Sequence, residues 1–373
     1  MKSAQQRKES KKGNQPVFIV GLPRSGTAMI RALLNQHPEL YVDPFGARFL
    51  SKWMLKWNSF GDLSVRANFS KFYETLIINS SFRRKDATRG KDIISECQWY
   101  EMCEEYTLEG VFDALMRYEL NLFDRTENII WVNKTPPMIK NLGLTYTYFK
   151  SALFINIIRD PRDVALSQHW FVMKKFNEHN SKKLNDMWDY IARVLGRKNM
   201  VLSAQEWKDD IFKARQESRA FPDKYIEVRY EDLLLSPKDT LKKICSFIGV
   251  PYHNDMIKIE KLLQPGSDAK VKNKINRGNH SKYKKFISPL VVEEMESVAK
   301  DLLVDLGYEC LTNKKEKDIS SLKKKLYTIH DRLTIIRAAV TQLGLIGGTK
   351  FCFQLFFWKA KKRSTPWLRT KVY

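Results

Sequence analysis

Five short apolar runs, separated by longer stretches of helical spacing, set the plan of this chain. They are Val17–Val20, Leu40–Val42, Ile129–Val132, Leu153–Ile158 and Tyr225–Val228. Each is too short for a helix and is bounded by turn or polar residues, so each reads as a buried strand. Between them, helices are predicted from Thr27 to Gln36, closed by His37-Pro38, and across most of 48–123, where aromatic residues are frequent. Further helices are predicted up to Tyr148, onward from Pro161, over 184–219 and 237–248, and finally over about 288–306. Strands alternating with helices predict an α/β fold with a central parallel sheet covered on both faces, in three layers α/β/α. Ligands in such folds bind beyond the carboxyl ends of the strands.

Charge divides the chain. The formal net charge is +23, but residues 1–15 hold five Lys/Arg against one Glu, and residues 314–373 hold fifteen against three acids. The basicity therefore belongs to the two ends, and three segments follow: a basic disordered tail (1–15), a catalytic domain (16–313) and a basic, apolar-aromatic extension (314–373). The five cysteines include no CxxC pair, which favours a reducing compartment over a disulfide framework or a zinc site. No signal-peptide core is evident near the N-terminus, so a cytoplasmic location, with membrane association as an extra possibility, is the expectation.

Two segments carry anion chemistry. Gly21-Leu22-Pro23-Arg24-Ser25-Gly26-Thr27-Ala28 follows a strand and opens a helix, so its backbone N–H groups and the helix N-terminus form a phosphate cradle. It is P-loop-like, yet the lysine of a Walker A loop is missing after Gly26, and Arg24 stands inside the loop instead. The second segment runs from Arg159 at a strand end to Ser167 two turns into the next helix. A guanidinium and a hydroxyl converging there suit a phosphate monoester. Asp160 lies between Arg159 and Arg162, a setting for an ion pair rather than a metal.

With these residues the chain resembles the sulfotransferases that use 3′-phosphoadenosine-5′-phosphosulfate (PAPS). Within them it is most similar to the tyrosylprotein enzymes and their bacterial relatives. Pro23–Thr27 looks like their 5′-phosphosulfate loop, and Arg159 with Ser167 looks like their 3′-phosphate motif. Asn133-Lys134-Thr135-Pro136 and Arg229-Tyr230-Glu231-Asp232-Leu233 resemble two further motifs, and Ser281-Lys282-Tyr283 ends a stretch like their late loop. The resemblance covers about residues 16–310. It implies binding of PAPS, released as 3′-phosphoadenosine 5′-phosphate, by Pro23, Arg24, Ser25, Gly26, Thr27, Ala28, Arg159, Ser167, Tyr230 and Lys282, with no metal. Arg24 and Lys134 are then assigned to neutralise charge on the leaving phosphate.

The departures concern the general base. The catalytic glutamate of the tyrosylprotein enzymes falls on Pro44 here, and the histidine of the small-molecule enzymes falls on Pro136. Asp43, just before Pro44, is the candidate base, with Glu96, Glu101 and Glu104 in reserve. The acceptor is a hydroxyl of undetermined class, on a membrane-associated lipid or glycan or on a peptide tyrosine. A P-loop small-molecule kinase would need a phosphate lysine and a Mg²⁺ site. A non-enzymatic protein binding membrane or nucleic acid would leave Arg24, Lys134 and Arg159 without purpose, and no nucleic-acid partner is expected.

Beyond residue 315, Leu333, Ile336, Val340 and Leu343 suit a helical stripe, and Phe351–Trp358 is densely apolar before Lys359, Lys361, Lys362 and Arg363. Arg337, Gly347-Gly348 and Lys350 break any membrane span, so an interfacial anchor is expected. Packing on the core, or on a second subunit in a homodimer, is the alternative.

Overall fold

The computed structural model describes residues 15–42, 50–77, 94–121, 129–178, 199–258 and 275–333, with single residues or short pieces of helical backbone between 336 and 353. The strands are β1 (Val17–Gly21), β2 (Leu40–Val42), β3 (Ile130–Lys134), β4 (Leu153–Ile158) and β5 (Tyr225–Arg229). The first helices are α1 (Thr27–Leu34), α2 (Leu50–Lys56), α3 (Arg66–Ile77), α4 (Glu96–Met102) and α5 (Leu108–Asn121). They are followed by α6 (Leu142–Tyr148), α7 (Pro161–Glu178), α8 (Met200–Ser218), α9 (Tyr230–Leu235) and α10 (Pro237–Ile248). The chain continues through α11 (Tyr283–Phe286), α12 (Pro289–Asp305) and a helix over 321–333, α13.

The sheet order is β2-β3-β1-β4-β5, and every pairing is parallel. Alternate residues of β1 serve opposite faces, as the pleat requires. Phe18 and Val20 meet an aromatic core with Trp131, Phe149 and Phe154, while Val17 and Ile19 meet Ile30, Leu33, Leu241 and Ile244 from α1 and α10. Both faces are therefore buried, which is why the strands are continuously apolar. Phe18 has its ring centroid 5.1 Å from that of Phe149 and 5.7 Å from that of Trp131, both edge-on. The three-layer α/β/α reading holds.

Some boundaries differ from the sequence reading. β3 runs two residues further, so Asn133 and Lys134 belong to the strand rather than to the loop after it. The pairing of Asn133 with Phe18 and Lys134 with Ile19 extends the ladder past the last apolar residue. α1 ends at Leu34, before Gln36. α9 was not foreseen; it begins at Tyr230 directly after β5. Of the helix expected over 184–219, residues 199–219 are described, with α8 ending at Ser218, and 184–198 lie outside the described residues, as do 1–14, 43–49 and all but Phe353 of the aromatic run 351–358.

The lysine-rich segment past 313 packs on the domain. Ile319 is buried among residues of α7, α8 and α12. Lys208 of α8 pairs with Glu316 at 3.0 Å and with Asp318, and buried Asp331 accepts the Asn199 backbone N–H at 3.1 Å. Among the described residues no helix is long and apolar enough to cross a membrane.

Candidate active site

Because the strands are parallel, their last residues, Gly21, Val42, Lys134, Ile158 and Arg229, share one edge of the sheet. The loop after β1 is held by a Ser25 N–H to Leu22 carbonyl bond of 3.1 Å and continues into α1 through Met29 N–H to Gly26 carbonyl at 2.8 Å. Arg24 adopts φ 78° and Gly26 φ 100°, both left-handed. A non-glycine residue held there stores about 1–2 kcal/mol, and such strain gathers at functional loops. Gly26 caps α1 without a side-chain acceptor, and the first turn carries no acid, so the helix's positive end is not neutralised locally. Ser25 is fully buried, and its Oγ has no hydrogen-bond partner among the described residues. A buried hydroxyl without a partner costs about 1–3 kcal/mol, which an anionic ligand would recover.

Arg159, 5% exposed, joins the other elements. Its Nη1 donates to the Arg24 carbonyl at 3.3 Å, and its Nη2 donates to the Asn279 carbonyl at 3.0 Å and faces Asp163 at 3.5 Å. Its Nε is buried without a partner among the described residues. The guanidinium lies 4.6 Å from the centroid of the Tyr230 ring, whose hydroxyl accepts from Asn279 Nδ2 at 2.7 Å. That ring covers the loop: a Cβ on Gly26 would fall 2.2 Å from Tyr230 Cδ2. Burial pushes the Tyr230 phenol above its ordinary pKa, so it remains neutral. Arg24 Nε donates to Ser167 Oγ at 3.2 Å, and Gln168 Nε2 donates to the Pro23 carbonyl at 3.1 Å. Arg24, Arg159, Ser167 and Tyr230 thus form one patch drawn from three strand ends.

A charged scaffold stands behind it. Arg162 grips Asp160 in a fork, Nε to Oδ1 at 2.9 Å and Nη2 to Oδ2 at 2.7 Å, and reaches Glu296 at 2.5 Å, all three residues being buried. Burial alone would lower the Arg162 pKa, but the bonds and charge of Asp160 outweigh it and the guanidinium is held charged. Asp160 is committed to this ion pair, as its flanking arginines suggested. Glu231 accepts the Asp160 N–H at 3.2 Å and the Tyr308 hydroxyl at 2.8 Å; burial raises its carboxyl pKa against the lowering effect of these bonds. Trp207 Nε1 donates to the Arg159 carbonyl at 3.0 Å. Together these contacts fix the position of Arg159 from behind.

The remaining candidates sit at different removes. Lys134 is the half-buried last residue of β3, in register with Ile19 of β1, the strand that feeds the loop. Pro23 is exposed, Thr27 is buried and Ala28 is half-buried in the first turn of α1. Lys282 lies beside the patch, its ammonium 5.9 Å from the centroid of Trp170, one turn beyond Ser167 on α7. Asp43 lies outside the described residues, immediately after β2. The reserve carboxylates have partners in their own helical region: Glu96 faces Arg66 at 3.4 Å, Glu101 accepts from Cys97 Sγ at 3.2 Å, and Glu104 faces Arg117 at 3.3 Å. The sequence reading missed Gln168 and Asn279. Gln168 adjoins Ser167, and Asn279 lies two residues before Ser281 in the late-loop stretch, so both positions were within view but carried no signal of their own.

Comparison with known proteins bears on what this patch does. The family model described as "Sulfotransferase family" matches residues 16–254. The chain is similar to the "Protein-tyrosine sulfotransferase" of Drosophila melanogaster, 23% identical over 315 residues, covering 80% of this chain and 52% of the fly protein. It thus spans about half the length of that relative. It is similar to "Nodulation protein H" of Rhizobium tropici, 23% identical over 240 residues, covering 64% of this chain and 77% of the other. "Protein-tyrosine sulfotransferase A" of Caenorhabditis elegans is 23% identical over 318 residues, covering 79% and 67% respectively.

Proposed function

The chain belongs to the sulfotransferase family, and from that premise we propose that its donor is PAPS and that the patch around Arg159 holds it. One observation carries this reading: Arg24, Ser167, Arg159 and Tyr230 meet at one sheet edge, with Ser25 Oγ and Arg159 Nε buried and unsatisfied. PAPS carries anionic groups at the 3′ and 5′ positions of one ribose, so two adjoining anion elements suit it. In this reading the backbone of Ser25, Gly26, Thr27 and Ala28 takes the 5′-phosphosulfate, with Pro23 shaping the turn. Arg159 and Ser167 take the 3′-phosphate, and Lys282 adds positive charge nearby. Tyr230 offers a flat, neutral face to the nucleoside.

The acceptor oxygen attacks the donor's sulfur in line. A new S–O bond forms while the bond from sulfur to the 5′-phosphate oxygen breaks, and the acceptor's proton passes to a base. Arg24 and Lys134 neutralise the charge gathering on the leaving phosphate. Asp43, which follows Val42 at the end of β2 in the sequence, is the proposed base.

The acceptor is a hydroxyl, and we assign it to a lipid or glycan at a membrane, with the extension holding the enzyme there from the cytosolic side. Free thiols at Cys97, Cys103, Cys245 and Cys310 suit that compartment. A peptide tyrosine is the second reading, favoured by the two relatives named as protein-tyrosine sulfotransferases. Transfer of labelled sulfuryl groups from PAPS to panels of lipids, glycans and peptides tests both. Labelling of lipid or glycan supports the first reading, labelling of peptide alone supports the second, and no PAPS-dependent labelling of any panel member refutes both.

A further inference from the structure

Helix α13 presents two unlike faces. On one, buried Asp331 is tied to Asn199, and Tyr327 donates its hydroxyl to Glu294 at 2.5 Å. On the other, Leu322, Leu326, Ile329 and Leu333 are 69%, 56%, 50% and 59% exposed, and Ile336, in the next described piece of helical backbone, is 42% exposed. Their spacing alternates four and three residues. At about 100° per residue the five fall within an arc of about 80°, and Tyr327 and Asp331 lie on the far side. The apolar stripe therefore points away from the domain that anchors the helix.

A narrow stripe with this spacing would also suit a coiled coil with a second copy, and charge decides between the two occupants. Lys323, His330 and Arg337 line one flank of the stripe, and Lys325 and Arg332 line the other. A parallel pair would set one flank against the other, and an antiparallel pair would set each flank against itself. Both arrangements bring like charges together along the seam. Lys323 also meets Glu294, and Lys325 and Arg332 keep the other flank basic. From residue 319 to the C-terminus the sequence contains a single acid, Asp331, and it is buried against α8. Such a face complements a negatively charged lipid surface, where apolar side chains enter and flanking cations meet headgroups.

We propose that the stripe Leu322–Ile336, with its basic flanks, is the surface by which this enzyme lies on an anionic bilayer. The inference rests on the membrane reading given above and assigns it to an ordered helix docked on the domain, ahead of the aromatic run at 351–358. Because α13 is fixed to α8 and α12, contact through it would hold the whole domain in one orientation.

The test uses the full chain and phosphatidylcholine vesicles with and without phosphatidylserine. Wild type should co-sediment with the serine-containing vesicles, and added salt should weaken the binding. The triple variant Leu326→Ser/Ile329→Ser/Leu333→Ser changes exposed residues only. It should keep its nucleotide-induced rise in melting temperature and lose binding by about a hundredfold. If wild type binds but the triple variant binds equally well, this face is not the contact and the membrane reading survives elsewhere. If wild type binds no vesicle, both fail. A dimer at micromolar concentration that the triple variant dissociates would give the stripe to a second copy and overturn the proposal.

Discussion

The close approach of Tyr230 to the loop at Gly26 gives a sharp test of the site's architecture. An alanine Cβ at 26 would lie 2.2 Å from Cδ2 and 2.7 Å from Cε2 of the ring, at a backbone φ of 100°. The left-handed conformation costs an alanine about 1–2 kcal/mol, and forcing the ring aside adds about 1–3 kcal/mol of overpacking. Gly26→Ala should therefore lose about 2–5 kcal/mol of stability in urea titrations. Gly249 is the control: it ends α10 at φ 84° with nothing within 4 Å of an added Cβ. Gly249→Ala should cost only the backbone part, about 1–2 kcal/mol. In a Tyr230→Ala background Gly26→Ala should fall to that same control value, since the ring it meets is gone. Calorimetry with 3′-phosphoadenosine 5′-phosphate should show weakened binding, because aromatic stacking on a base contributes about 1–3 kcal/mol. If Gly26→Ala costs no more than Gly249→Ala, and costs the same with or without the ring, the packing of Tyr230 on the loop is wrong.

Arg159→Ala should weaken binding of 3′-phosphoadenosine 5′-phosphate by about 1.5–3 kcal/mol, and far less for the analogue lacking the 3′-phosphate; equal losses would remove the assignment. Arg162→Met should destabilise the fold by about 3–5 kcal/mol by denaturant titration, since it strands Asp160 and Glu296 as buried charges; a loss under about 1 kcal/mol would contradict the scaffold. Asp43→Asn should reduce turnover by about 10²–10⁴ with nucleotide affinity unchanged, and near-normal turnover would exclude it as the base. Glu231, with its folded-state pKa raised chiefly by burial, is costly to ionise in the native state. Relative to Glu231→Gln, wild type should lose stability as pH rises from the ordinary carboxyl range through that raised value; parallel stability–pH curves would refute this.

The sheet was legible because each strand is a short run buried on both faces, a pattern that helices of this length do not share. The candidate patch could be picked out because glycine, arginine and serine fall at strand-to-helix junctions, and the structure brings Arg24, Arg159, Ser167 and Tyr230 together there. What escaped depended on distant partners. β3 continues through polar Asn133 and Lys134 because β1 supplies its ladder, which no apolar pattern records. The pairing of Asp160 with Arg162 was readable from their adjacency, but its extension to Glu296, and the bonds from Asp160 N–H and Tyr308 to Glu231, join residues far apart in sequence. The segment 314–333 has the composition of a linker, yet single contacts through Ile319, Tyr327 and Asp331 fasten it to the domain.

The central claim is that the patch at the sheet edge holds a nucleotide with a 3′-phosphate, and titration calorimetry in EDTA tests it directly. Wild type is expected to bind 3′-phosphoadenosine 5′-phosphate without added metal. Adenosine 5′-phosphate should bind more weakly, and Arg159→Ala should narrow the gap between the two ligands. Equal affinity for both ligands in wild type, or binding only of ATP and only with Mg²⁺ restored, would contradict the account.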